Sequence, residues 1–164
     1  MEGVESDKNP IRNEIIFLLN GGNAHVSLDD ALKDLPLSVA GVKHKNVPYT
    51  IWQMVEHIRI TQWDIVEFSK GPAHKSPKWP DEYWPNVLKP DNQSQWDNSL
   101  AQIRSDRKAF IDLTTDPSTD LYTPFPHGTG QNLLREALLI ADHNSYHIGQ
   151  IILIRRLLGE WTDE

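Results

Sequence analysis

Two histidines four residues apart, His143 and His147, stand in the middle of "ADHNSYHIGQIILIRRLLGEW", residues 141–161, a stretch with a strongly apolar helical pattern. An imidazole buried in such surroundings must find a hydrogen-bond partner or a metal ion for its ring nitrogens. Four residues of α-helix turn through about 40°, so both rings leave the same side with Cβ atoms about 5–6 Å apart. Glu136, Ile140, Ile151 and Ile154 fall on that side too. The pair therefore faces a core. The same spacing lets H-E-x-x-H helices supply two metal ligands, although here no Glu follows the first His. A pair satisfied by polar core neighbours is the blander reading and stays open at this point.

Metal binding needs at least a third ligand from elsewhere. Of the 7 histidines, His25, His44, His74 and His127 fall in connecting segments, where exposure is the default expectation. His57 alone sits inside a long helical pattern. Met54, Ile58, Thr61, Ile65 and Phe68 form the apolar face there, with His57 at its edge and Asp64 on the same side two turns on. Inward edges of bundle helices converge on a common site, which makes His57, His143 and His147 the best three-ligand set in the chain. Three neutral imidazoles suit Zn²⁺, Ni²⁺ or a similar divalent ion and leave positions open, where a bound water is acidified. Asp64 and Glu136 are candidate proton carriers; each is equally read as a partner that orients an imidazole, or as a solvated edge residue.

The elements that must position these residues are helices. Residues 11–20 carry an apolar stripe at Ile11, Ile15, Leu18 and Leu19 and stop at Gly21–Gly22. An accessory helix is expected from Ser27 to Leu35, opened by Ser-Leu-Asp-Asp and ended before Pro36. A long helix follows from Thr50 to Ser69, started by the capping box Thr50/Gln53 and ended by Gly71–Pro72. A third long helix spans Asn92 to Leu113, and the last runs from Thr129 to Leu158 with Gly159 as its stop. No segment alternates with period two for long enough to predict a strand. The expected fold is all-α, a single-domain four-helix bundle over residues 1–164 with a short accessory helix and long Pro-rich connections.

One of those connections, residues 71–90, holds five prolines together with Trp79, Tyr83 and Trp84. Long loops in compact domains are usually functional or disordered, and these aromatics gain by docking. The segment is expected to close over the histidines as a lid, with Trp84 lining the pocket.

Composition narrows the function classes. Without Cys there is no disulfide, thiolate nucleophile or Cys-based zinc site, and a reducing cytosol fits best. The opening MEGVESDKNP has neither a basic nor an apolar export region, and no run of apolar residues is long enough to span a bilayer. A formal charge of −7 repels phosphate backbones, so no nucleic-acid partner is expected. These features together read as a cytoplasmic protein.

"PYTIWQMVEHIRITQWDIVEFS" (48–69) and the 141–161 stretch closely resemble the DinB superfamily of bacterial proteins, also called DinB/YfiT-like. "LLNGGNAHVSLDDALKDLP" (18–36) is similar to the stretch preceding the first motif in many members. The resemblance covers essentially the whole chain and implies a four-helix bundle with a divalent metal held by three histidines. Residue by residue those fall on His57, His143 and His147. Some relatives are transferases dependent on a low-molecular-weight thiol, or maleylpyruvate isomerases, and many have no assigned reaction. The leading expectation is thus a metal-dependent transferase or hydrolase acting on an unknown small molecule. A non-catalytic metal or small-ligand binding protein linked to stress is the alternative. The resemblance also implies a homodimer, with Ile60 and Trp63 read as exposed apolar support for an interface.

Overall fold

The computed structural model describes residues 10–22 and 24–161. The segment 1–9, read above for its lack of an export signal, lies outside them. All regular structure among the described residues is helical: α1 (Pro10–Leu19), α2 (Leu28–Leu32), α3 (Leu37–Ala40), α4 (Ile51–Lys70), a short 3-10 helix (Asp81–Tyr83), α5 (Gln93–Thr115) and α6 (Leu133–Leu157). Helix α4 packs on α5 and α6, and α1 packs on the same two, so the contacts close a ring of four. Helices α2 and α3 rest on α6 and α4. No helix among the described residues is long and apolar enough to cross a membrane.

Local chemistry fixes most of the ends. Gly22 takes φ +56° and its N–H reaches back to the Phe17 carbonyl at 3.0 Å, closing α1 as a glycine can and a β-carbon-bearing residue resists. Asn92 and Asn132 cap α5 and α6, accepting from Gln95 N–H at 3.0 Å and Arg135 N–H at 2.8 Å. Two sequence expectations need correction. Residues 27–35 do not form one helix: α2 ends at Leu32, Asp34 turns with φ +55°, and Pro36 then opens α3. Proline is tolerated at a helix start, where its missing N–H costs nothing. The last helix begins at Leu133 rather than Thr129, because Gly128–Gly130 turn the chain and Asn132 supplies the cap.

The interior divides into two apolar clusters. One joins Ile51, Trp52, Met54, Val55 and Ile58 of α4 to Ile148, Ile151 and Ile154 of α6, with Trp96 and Ile103 of α5. The other joins Ile15 and Leu19 of α1 to Ile65, Val66, Phe110, Leu133, Ala137 and Ile140. Between them lies a polar layer: Gln62 on α4, Asp106 on α5, and His143 and Asn144 on α6. That layer is where the candidate site forms.

The loop 71–90 is bound to the start of α4 by hydrogen bonds. Thr50 is fully buried; its hydroxyl accepts from Gln53 N–H at 3.1 Å and donates to the Leu88 carbonyl at 2.7 Å. Gln53 completes the capping box by accepting from Thr50 N–H at 3.1 Å, while its amide donates to the Pro85 carbonyl at 3.0 Å. One motif therefore both starts the helix and holds the loop. Gly41 makes room for the returning chain: a β-carbon there would collide with Lys89 Cβ. An ordinary cap is worth about 1 kcal/mol, and stranding the Leu88 carbonyl adds about 1–3 kcal/mol. Thr50→Ala should therefore lower unfolding free energy by about 2–4 kcal/mol. Removing the exposed α2 cap with Ser27→Ala should cost about 0.5–1 kcal/mol. Urea titrations of both variants check the contrast, and equal losses would contradict the loop-anchoring role.

Candidate metal centre

His57, from the middle of α4, meets His143 and His147 of α6 across the helix interface. Each offers one ring nitrogen, and the three nitrogens lie within 4.8 Å of one another. His57 Nε2 and His143 Nε2 stand 3.0 Å apart. Two nitrogens on one ion at about 2.0–2.1 Å are separated by roughly 2.8–3.4 Å for ligand angles of about 90–110°. The spacing fits a shared ion.

The opposite ring nitrogens show why these atoms face inward. His57 Nδ1–H donates to the Tyr83 carbonyl at 2.9 Å, and His147 Nδ1–H donates to Gln150 Oε1 at 2.7 Å. An oxygen acceptor on Nδ1 puts the proton there and leaves Nε2 with a lone pair, which is the form that binds a metal. His57 and His143 titrate at about 4 instead of the usual 6.5. Burial is the main cause in both, and the neighbouring histidines lower them further. His147 is also lowered, by burial, against the raising effect of Gln150. The cluster is neutral near pH 7 and a proton is a weak competitor for its lone pairs.

Trp84 of the loop stacks on His57 with ring centroids 3.8 Å apart, and Tyr49 stacks on the far face of that contact at 4.0 Å from Trp84. The loop thus covers the histidine end of α4. Tyr83 contributes its carbonyl to His57 and its hydroxyl to Asp64 at 2.5 Å. Trp79 does not join them: it is 69 % exposed and touches only the edge of Tyr83 among the aromatic rings.

Asp64 does lie on the His57 side of α4, but both its oxygens are engaged, one by Tyr83 and the other by His74 Nε2 at 2.7 Å. It anchors the loop. Glu136 is 4 % exposed, two turns before His143, and burial raises its pKa, opposed by Arg135 and reinforced by Asp64. Two further readings are corrected. His74 and His127, expected at the surface, are partly buried and bonded to α4, His127 through the Phe68 carbonyl at 2.9 Å. Ile60 and Trp63, expected to be exposed, are half-buried and line a groove of about 530 Å³ beneath Lys75, Ser76 and Pro77. None of the three histidines borders that groove.

The depressed imidazole pKa values set a sign for stability. In the folded, metal-free protein these rings resist protonation until about pH 4, whereas the unfolded chain takes protons near 6.5. The stability they contribute is present above about 6.5 and is lost as pH falls toward about 4. Thermal midpoints measured in chelator should fall across that window, and His143→Gln should flatten the slope. A midpoint independent of pH there would contradict the neutral buried cluster.

Neither a curated protein nor a solved structure significantly matches the chain. Residues 24–151, which include all three histidines, match the sequence profile of the DinB superfamily. With most of its length covered by that match and the expected histidines gathered between α4 and α6, the chain belongs to the DinB superfamily.

Proposed function

We propose that His57, His143 and His147 hold one divalent metal ion and that the protein is a metal-dependent enzyme acting on a small molecule. The donor set carries this reading. Among the described residues the group contains three histidines and no carboxylate, so an ion would keep coordination positions for a substrate. When bound, the ion supplies Lewis acidity, which acidifies a thiol or water and polarises a carbonyl. Three imidazoles suit Zn²⁺ or Ni²⁺. The reactions that fit are transfer of a low-molecular-weight thiol to an electrophile and hydrolysis.

The chain's own residues divide the remaining work. The Tyr83 carbonyl holds the His57 ring, and Trp84 covers its face and limits the approach of water. Tyr146, 65 % exposed and edge-on to His147 at 5.0 Å, stands where an incoming molecule would meet it. Glu136, whose pKa is raised by burial, is the candidate proton carrier. One observation favours the alternative of a non-catalytic binding protein: Asp64, the α4 carboxylate expected to serve the site, is committed to His74 and Tyr83.

Purified protein should carry about one equivalent of divalent metal, and His147→Ala should lose it. Full occupancy in that variant would remove the assignment. Metal-loaded protein is then assayed with small thiols plus electrophiles, and separately with esters and amides. Turnover that requires the metal supports the enzyme; binding with no turnover in either panel supports the alternative.

The proposal extends to a homodimer formed through the outer side of α6, in place of Ile60 and Trp63. Leu138, Leu153 and Leu157 are 43–55 % exposed there and fall within about 100° of arc. Leu153→Glu should shift sedimentation from dimer to monomer. A wild-type monomer at micromolar concentration would end the proposal.

A further inference from the structure

The third imidazole lacks an obvious holder. His143 Nδ1 is sealed from solvent with no partner of hydrogen-bond geometry, while His57 and His147 each present Nδ1 to an oxygen. The next residue in the chain has the complementary defect: Asn144 Oδ1 is likewise sealed and without such a partner.

The orientation of the Asn144 amide follows from a chain of forced choices. The Ile103 carbonyl of α5 can only accept, so Gln62 presents Nε2 to it, at 2.6 Å. That turns Gln62 Oε1 toward α6, where it accepts from Asn144 Nδ2 at 2.9 Å. With Nδ2 committed, Asn144 Oδ1 is the atom left to act, and it is an acceptor. Asn144 influences the adjacent imidazole as an acceptor does, opposing the burial and neighbouring histidines that lower its pKa.

We infer that Gln62 and Asn144 form an amide relay that positions His143, with Asn144 Oδ1 receiving the Nδ1 proton so that the Nε2 lone pair points at the other two histidines. This rests on the reading of the three histidines as a metal centre. The relay runs from an α5 backbone carbonyl through α4 to α6, so the ligand's orientation is tied to the packing of three helices. It also gives the histidine pair a complete pattern: each Nδ1–H meets an oxygen, and each Nε2 is left for the ion. In the metal-free protein the pattern cannot close. If His143 carries its proton on Nδ1, two Nε2 lone pairs confront each other at 3.0 Å; if on Nε2, Nδ1 is left an acceptor without a donor, and so is Asn144 Oδ1. A cation between the Nε2 atoms removes the conflict. Groups that support a ligating histidine in this way are worth about 10–100-fold in metal affinity.

The test uses the full chain and Zn²⁺, with affinity read by competition against a chromophoric chelator. Asn144→Leu should weaken Zn²⁺ by about 10–100-fold. Gln62→Met, which frees the Asn144 amide to turn, should weaken it less, and adding it to Asn144→Leu should have no further effect. In the Zn²⁺-loaded wild type the His143 Nδ1 proton should be visible by NMR, downfield and slow to exchange. In Asn144→Leu that signature should be lost. Wild-type affinity together with an unchanged His143 signal in Asn144→Leu would overturn the relay and leave the metal reading intact. A wild type that binds Zn²⁺ no better than His147→Ala overturns the metal reading and the relay with it. Should Asn144→Leu fail to fold, Gln62→Met decides: unchanged affinity and an unchanged Nδ1 signal overturn the relay.

Discussion

A buried imidazole has two nitrogens to satisfy, and most of this structure follows from placing three such rings where helices α4 and α6 meet. Left without partners, those nitrogens would cost several kcal/mol in an apolar interior. The protein meets the demand by splitting its core. Apolar clusters lie on either side, and the layer between them is built from amides, imidazoles and a carboxylate. Two clusters separated by polar side chains bury less apolar surface than one continuous core would. That is a stability loss of the kind proteins accept at functional sites rather than in ordinary packing.

The same demand explains why a proline-rich loop is part of the scaffold. Residues 51–58 of α4 are all buried, a pattern no amphipathic surface helix produces, because the 71–90 segment covers the side that α5 and α6 leave open. In return the loop delivers the Tyr83 carbonyl that fixes the His57 tautomer. Its hold on α4 is polar at both ends: Thr50 and Gln53 bind the Leu88 and Pro85 carbonyls, and Asp64 binds Tyr83 and His74. Aromatic stacking of Trp84 between Tyr49 and His57 fills the middle. Loop docking and ligand orientation are therefore one event. Anything that lifts the loop also frees the His57 ring.

What could be read from the sequence was whatever a single helix records by itself. The i, i+4 spacing put His143 and His147 on the core side, the position of His57 on its apolar face supplied the third member, and the caps at Thr50, Gly22 and Gly159 marked ends to within a few residues. Partners contributed by the backbone left no such trace, because the carbonyl of Tyr83 is the same group in every residue. The amides of Gln62 and Asn144 look like ordinary polar helix residues until α5 is packed beside them. The close approach of Gly41 to Lys89 is invisible for the same reason. Asp64 illustrates the reverse error. Its angular position pointed toward the histidines, yet the loop brings Tyr83 and His74 to it first, and helical periodicity alone carries no information about which group wins.

The charge balance around the three histidines bears on what a bound ion could do. Carboxylate ligands neutralise part of a divalent cation's charge, whereas neutral imidazoles leave it at +2. Here burial keeps the rings neutral, and among the described residues the group of three contains no carboxylate. On the proposed reading the centre would then be strongly electrophilic within a layer that is only partly open to water, where electrostatic effects are less screened. A centre of that kind would favour a ligand bound as its anion, and a thiol gives up its proton more readily than water does. On that reading the electrostatics would favour a thiol over water as the group the ion activates.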